Sequence, residues 1–477
     1  MDEWCVFNGV DGTTGGYLFP PTPPGSLPVR GGTEPDDPAH RADLQWRHRQ
    51  STESMFAPIE GVDPTDLAEA GWGLVLPANT DPATIEALDP LVQHRRSQAG
   101  ADDERRCKVL TVLPGESKSA FLRRYGSGPG AADPNVVPYY LLLAGDPESI
   151  SFGFQYQLDV SYAVGRIAFD QPADYARYAN SVVRSETTRP PKAGSATFFA
   201  PRNPGDPATA LSVDHLVTPL VAAIPDMGPQ LDLEVVAGDA ARADALQKVL
   251  AHRPALLFTA SHGLGMPCGH PRQRALQGAL VCQDWPGPGA PQFEEAWCFS
   301  GENVDPSADL SGLIAFHFAC YGAGTPQWDD YVREPGAAGL NSARKEIAPA
   351  PFVAGLPNRL LVNPGGGALA AVGHVERAWG YSFAWPNVGR QTAVYESTLR
   401  RLLSGHPLGS ALEYFNQRYA ELASDLLAEL EEVAAGMDPD DLGLAAMWTA
   451  RNDARGFTII GDPAVRLAAP PAKAMTR

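Results

Sequence analysis

Leu256-Leu257-Phe258-Thr259-Ala260-Ser261-His262-Gly263-Leu264-Gly265 is the stretch from which the fold can be read. Five residues with almost no polar surface and no alternation fit a strand covered on both faces, as in a parallel sheet between helices. The strand delivers a histidine to its C-terminal tip, and the glycines beyond let the backbone turn and come close to a ligand. Taken alone, His262 could equally be a turn residue capping a strand. The same architecture recurs in Gly312-Leu313-Ile314-Ala315-Phe316-His317-Phe318-Ala319-Cys320, followed by Tyr321-Gly322-Ala323-Gly324-Thr325. A lone buried cysteine is more often structural than catalytic. A histidine and a cysteine at the ends of successive predicted strands are a more specific signal, because a thiol nucleophile needs a base beside it.

Further apolar runs of strand type lie on either side: Trp72–Leu76, Val109–Leu113, Tyr139–Ala144, Ala163–Ala168, Thr197–Ala200, Leu233–Val236 and Ala368–Val372. Helical spacing marks Asp174–Glu186, Ala240–Leu250, Gln391–Leu403 and Ser410–Ala435. The alternation predicts an α/β fold, a doubly wound and mainly parallel sheet with helices on both faces. Functional residues then gather at the carboxyl ends of strands. Residues 1–60, with Pro20-Pro21-Thr22-Pro23-Pro24, read as a loop-rich N-terminal region. A composition break at Arg189-Pro190-Pro191 divides an N-terminal α/β subdomain (61–190) from a catalytic half (191–477).

Composition limits the function classes. The 477 residues are 44% hydrophobic and 19% charged, enough for a large buried core. A net charge of -19 and the lack of a long basic stripe argue against nucleic acid and anionic membranes as partners. Six cysteines in so long a chain are too sparse for a disulfide scaffold. The spacing of His262, Cys268, His270, Cys282 and Cys298 matches no paired zinc motif, so neither metal nor cofactor is expected. The opening Asp2-Glu3 lacks a leader pattern, and no apolar run approaches the roughly 18 to 20 residues of a membrane span. The reading is a cytoplasmic protein with reduced thiols.

Ser261-His262-Gly263 and Ala319-Cys320-Tyr321-Gly322-Ala323-Gly324-Thr325, in that order and at that separation, resemble the caspase-like cysteine peptidases, closest to the gingipain and CHAT branches. Tyr139 to Asp146, Val164-Gly165-Arg166-Ile167, and the closing Thr458-Ile459-Ile460-Gly461-Asp462-Pro463-Ala464 are similar to gingipain-type segments. The resemblance spans roughly 139–467 and implies a caspase-like fold for 191–477, with cysteine endopeptidase activity on protein substrates. It implies Cys320 as nucleophile, His262 as proton donor and later base, and the backbone N–H groups of Gly263 and Cys320 as the oxyanion hole. Phe318-Ala319-Cys320 stands where caspases have Gln-Ala-Cys, so recognition of aspartate is not carried over.

Asp159, in Gln157-Leu158-Asp159-Val160-Ser161-Tyr162, resembles the gingipain-type aspartate that receives a basic P1 side chain, with a solvated or capping aspartate as the competing reading. Trp379 would wall the same pocket, or serve as a core tryptophan. His317 is expected to point away from the site, by strand alternation. Gln327 to Pro351 reads as an exposed loop in which Arg333, Arg344 and Lys345 are candidate processing sites, cut by the enzyme itself or by an activating protease, with a passive surface loop as the competing reading and a regulatory protein as the other partner. Cys320 is expected to alkylate first among the cysteines. The competing functions are an inactive binding module of the same fold and a small-molecule hydrolase or transferase using the same dyad.

Overall fold

The computed structural model describes residues 8–18, 58–100, 105–188, 194–227, 231–334, 343–385, 388–437 and 440–468. Its centre is a ten-stranded sheet, whose strands we number in chain order: β1 (Trp72–Pro77), β2 (Cys107–Val112), β3 (Tyr140–Ala144), β4 (Ala163–Ile167), β5 (Ser195–Ala200), β6 (Asp232–Ala237), β7 (Leu256–Ala260), β8 (Ile314–Phe318), β9 (Ala370–His374) and β10 (Phe457–Gly461). Their spatial order is β2-β1-β3-β4-β10-β9-β8-β7-β5-β6. All neighbours are parallel except β9 and β10, which run antiparallel. The sheet is thus two parallel blocks of five strands joined back to back, and it crosses the 190/191 break without interruption. The last strand, β10, returns to complete the block built by residues 72–167.

Nine of these strands are the apolar runs read from sequence. Because each block is parallel, every strand needs a crossover, and helices supply it on both faces. On one face of the second block Phe198, Phe258 and Phe316 stand side by side on β5, β7 and β8, with ring centroids 5.1 and 5.0 Å apart. Tyr395 and Phe415, from helices Ala393–Leu403 and Glu413–Ala434, close over them. The other face carries Phe199, Leu257 and Ala315 against Leu246, Leu250, Leu356 and Leu360, from helices Ala243–Ala251 and Gly355–Leu361. Each fully buried aromatic or leucine contributes about 1.5–3 kcal/mol, so these two layers rather than any polar contact hold β7 and β8 in place.

Two local expectations are corrected. Pro207–Asp226, a composite of α, π and 3₁₀ turns, has the length and apolarity of a membrane span, with mean hydropathy 1.3. Its Leu216, Val217, Leu220 and Ile224 are buried in the main core, the usual reason for such a composition in a core helix. The segment expected to be an open loop, Gln327 to Pro351, contains an antiparallel hairpin, Trp328–Glu334 with Ala343–Glu346. Its charges misled the reading: Asp329 is buried and paired with Arg377 through two 2.7 Å bonds, and Tyr331 packs on Trp379.

Candidate functional site

His262 and Cys320 each lie two residues beyond the ends of the adjacent strands β7 and β8, which run in matched register. Phe318 lies opposite Ala260, and the Ser261 N–H donates to the Phe318 carbonyl at 3.1 Å, so the two residues beyond each strand share one height on the sheet edge. Gly263 then lies directly on the backbone of Cys320: a Cβ there would be 1.7 Å from its carbonyl oxygen. No other residue fits. Tyr321, with φ of 57°, turns the chain sharply away after Cys320.

A second segment fills the edge so formed. Gly9–Asp11 pairs in parallel with Gly263–Gly265, within a small sheet that also holds Leu280–Val281 and Cys298–Phe299. The carbonyl oxygen of Asn8 accepts from the Gly263 N–H at 2.9 Å and from the Cys320 N–H at 3.1 Å. These are the two donors named from sequence, and they converge on one oxygen. The Asn8 N–H donates to the Ala378 carbonyl at 3.1 Å. Its side-chain amide donates to Ser212 Oγ at 3.0 Å and to the Ser261 carbonyl at 3.2 Å.

Cys320 is fully buried under this segment, and its Sγ accepts from the Ala378 N–H at 3.3 Å. Burial pushes the thiol up to about 12, with the Ala378 N–H and the nearby Arg377 charge opposing the shift. The expectation of a readily alkylated thiolate is therefore corrected for this state of the molecule: the sulfur is neutral and shielded from solvent. Cys268 is the exposed cysteine among those described.

His262 is oriented by a residue that the sequence reading missed. Its Nε2 lies 2.8 Å from Asp206 Oδ2, and its Nδ1 is buried without a hydrogen-bond partner among the described residues. Asp206 caps the helix Pro207–Ser212, accepting from the Ala208 and Thr209 N–H groups and the Thr209 hydroxyl, while Tyr17 donates its hydroxyl to Oδ1 at 2.6 Å. Burial alone would raise the carboxyl's pKa; His262 and these donors outweigh it and hold it well below the usual range. Trp285 meets the imidazole edge-on at 5.3 Å and donates its indole N–H to the Gly15 carbonyl. A signal for Asp206 was present in Asn203-Pro204-Gly205-Asp206-Pro207: an aspartate before a proline starts a helix, here at the carboxyl end of β5.

The remaining candidates fall in different places. Trp379 follows Ala378 directly; its backbone N–H donates to Asp453 at 2.8 Å, and its ring is buried against Tyr331. Asp159 ends the helix Phe152–Leu158, near the Val164 N–H and the Arg166 guanidinium. Burial raises its pKa well above the usual range, with those two groups opposing. It shares the sheet edge with Cys320, but β4 is three strands from β8, roughly 14 Å at about 4.8 Å per strand. Arg333 and Arg344 pair in register on the hairpin, and Arg344 and Lys345 are exposed on its second strand. His317 turns to the opposite face and meets Thr259 Oγ1 at 2.9 Å, as strand alternation requires. The Gly-Asp-Pro segment is structural: Asp462 accepts from the Trp72 indole at 3.0 Å and from Arg95 Nε at 2.8 Å.

No family model and no curated protein sequence matches the chain. Among solved structures it is similar to the Arg-specific cysteine proteinase gingipain R (RgpB), with a TM-score of 0.45 and 12% identity over 87% of this chain and 81% of that one. It is also similar to a structure described as a protease, with a TM-score of 0.47 and 12% identity over 84% and 80%. A complex of the Porphyromonas gingivalis RgpB pro- and mature domains gives a TM-score of 0.44 and 11% identity over 84% and 81%.

Proposed function

We propose that this chain is a cysteine endopeptidase in which Cys320 is the nucleophile, His262 the proton shuttle and Asp206 the residue that positions His262. One observation carries the reading: the Gly263 and Cys320 N–H groups converge on a single peptide carbonyl oxygen, at 2.9 and 3.1 Å. Two buried donors aimed at a carbonyl next to a thiol are what acyl transfer requires, because they stabilise the negative oxygen of the tetrahedral intermediate. Removing one such donor typically costs about 10²–10³-fold in rate.

The roles follow from the partners. Nε2 of His262 is committed to Asp206, which fixes the tautomer and ring orientation and leaves Nδ1 to exchange protons with the reacting groups. The resting thiol is neutral, so the first step takes its proton to His262 as sulfur attacks the carbonyl carbon. The protonated imidazole then donates to the departing amine, and water, activated by the same nitrogen, hydrolyses the thioester. Charge separation is helped by Asp206, which is ionised and beside the imidazolium as it forms.

A peptide rather than a small molecule is the substrate class this edge favours, because it holds extended main chain: N–H to Ala378, carbonyl to Gly263 and Cys320, and parallel pairing beyond. The Arg or Lys preference attached to Asp159 has no such support, since that carboxyl is engaged at β4. Digestion of a peptide library by the purified protein, with Cys320→Ala as control, tests the proposal. Cleavage products absent from the control are expected; identical digests would reject it.

A further inference from the structure

We infer that the Asn8–Gly9 peptide bond of this chain is its own first substrate, and that the site selects asparagine on the acyl side of the cut. The inference rests on the peptidase reading above and adds to it a cleavage position and a specificity. Residues 8–11 are bound as a substrate would be, not merely near the site. On one side of the bond Asn8 gives its N–H to Ala378 and its carbonyl oxygen to the two convergent donors; on the other, Gly9, Val10 and Asp11 pair with Gly263, Leu264 and Gly265. The bond that would break lies between these two sets of contacts, and its carbonyl is hydrogen-bonded to the nucleophile's own N–H.

The side chain supplies the specificity argument. Asn8 is only 3% exposed, and a buried carboxamide is costly unless its hydrogens find acceptors. Both do. The Ser261 carbonyl can only accept, and the Ser212 hydroxyl donates to the Ala208 carbonyl at 3.0 Å, so it presents lone pairs to Asn8. A site of two acceptors suits an amide N–H₂ and repels a carboxylate of the same shape. Ser212 is placed for this where the helix begun by Asp206 passes into a π turn at Val213–Val217.

Cleavage would proceed as follows. Cys320 Sγ adds to the Asn8 carbonyl carbon, and the thiol proton passes to His262. Collapse of the intermediate breaks the bond to the Gly9 nitrogen, which takes that proton and becomes an amine. Water then hydrolyses the Asn8 thioester, yielding a carboxylate at Asn8 and the free thiol. Once cut, Gly9 to Asp11 are no longer tethered to Asn8 and can exchange with another chain on Gly263–Gly265, while the Trp285–Gly15 and Tyr17–Asp206 bonds hold the segment behind them; departure of Asn8 uncovers Cys320.

The test is intact-mass and N-terminal analysis of the freshly purified full chain. Wild type is expected to yield a species beginning at Gly9, and Cys320→Ala none. Asn8→Asp should slow the cut by more than about tenfold. The processed enzyme should cleave a peptide copying Val6–Asp11 after its asparagine, and the aspartate version at least about tenfold more slowly. A library digest by the wild-type and Asn8→Gly chains keeps the two readings apart. If those chains cleave library peptides in a Cys320-dependent way while wild type keeps its Asn8–Gly9 bond, self-cleavage is wrong and the peptidase reading stands. If neither chain cleaves any peptide, the peptidase reading itself fails.

Discussion

Two buried polar clusters, Arg95 in the first block of the sheet and His262 in the second, are satisfied to different degrees. In the first block Arg95 is almost wholly buried, and all three of its guanidinium nitrogens are answered: Nε by Asp462 at 2.8 Å, and Nη1 and Nη2 by Glu186 at 2.7 Å each. Arg166 is likewise engaged, by the Gly145 and Ile150 carbonyls and the Gln155 side chain. In the second block Nε2 of His262 is bound to Asp206 while Nδ1 has no hydrogen-bond partner among the described residues, and burial holds the Cys320 thiol neutral. Satisfied buried charges fix a structure, whereas an unanswered buried nitrogen is free to exchange a proton. A cavity of about 730 Å³ opens beside Arg95 and Glu186, not at His262. At the edge by Gly263 and Cys320 the chain's own residues 8–11 lie across the site, so cavity volume is a poor guide to it.

Substitutions can break this contrast. The largest effect is expected from Cys320→Ala and His262→Ala, each lowering peptidase activity by more than about 10³-fold while the thermal transition stays near wild type. Full activity in either variant would end the dyad assignment. Arg95→Ala should do the reverse, destabilising the fold by about 3–5 kcal/mol, because Asp462 and Glu186 would be left without their cation. Chemical denaturation reads the loss, and kcat of the surviving folded fraction should be unchanged. A loss of kcat without loss of stability would mean that the first block takes part in catalysis.

Smaller effects sharpen it. His317, on β8 but on the face away from Cys320, is depressed to about 4 by burial and is therefore neutral in the folded protein. The unfolded chain takes up its proton near pH 6.5, so His317 gives full stability above that pH and loses it as the pH falls towards 4. The drop should be about 3 kcal/mol, at about 1.4 kcal/mol per pH unit, and should be largely absent in His317→Gln. Equal acid sensitivity in the two proteins would show that other groups dominate. Asp206→Asn should cost about 10²-fold in kcat and leave KM little changed, through loss of the imidazole's orientation and charge partner. An unchanged pH–rate profile in that variant would remove Asp206 from the mechanism.

Apolar runs made β7, β8 and seven other strands legible in the sequence, because most of them are interior strands buried on both faces, although β2 and β6 at the two edges are partly exposed. The His262–Cys320 pair followed from their ends. What escaped was set by long-range pairing. Gly9–Asp11 is three residues long in a stretch rich in turns, and it becomes a strand only beside Gly263–Gly265, some 250 residues on. Asp206 lies in a Pro/Gly loop whose approach to His262 depends on β5 lying next to β7. The hairpin at Trp328–Glu334 looked like a solvated loop because Asp329 is charged, and only Arg377, 48 residues away, makes its burial tolerable.

The central claim, that Cys320 acts as a nucleophile served by His262, is tested most directly by covalent trapping. Incubate the purified protein with a peptide acyloxymethyl ketone ending in asparagine, then map the adduct by mass spectrometry while following peptidase activity. The account predicts a single thioether on Cys320, loss of activity in step with it, and no adduct in His262→Ala. Activity that persists after Cys320 is fully modified, or that is lost through modification of another cysteine, would contradict it.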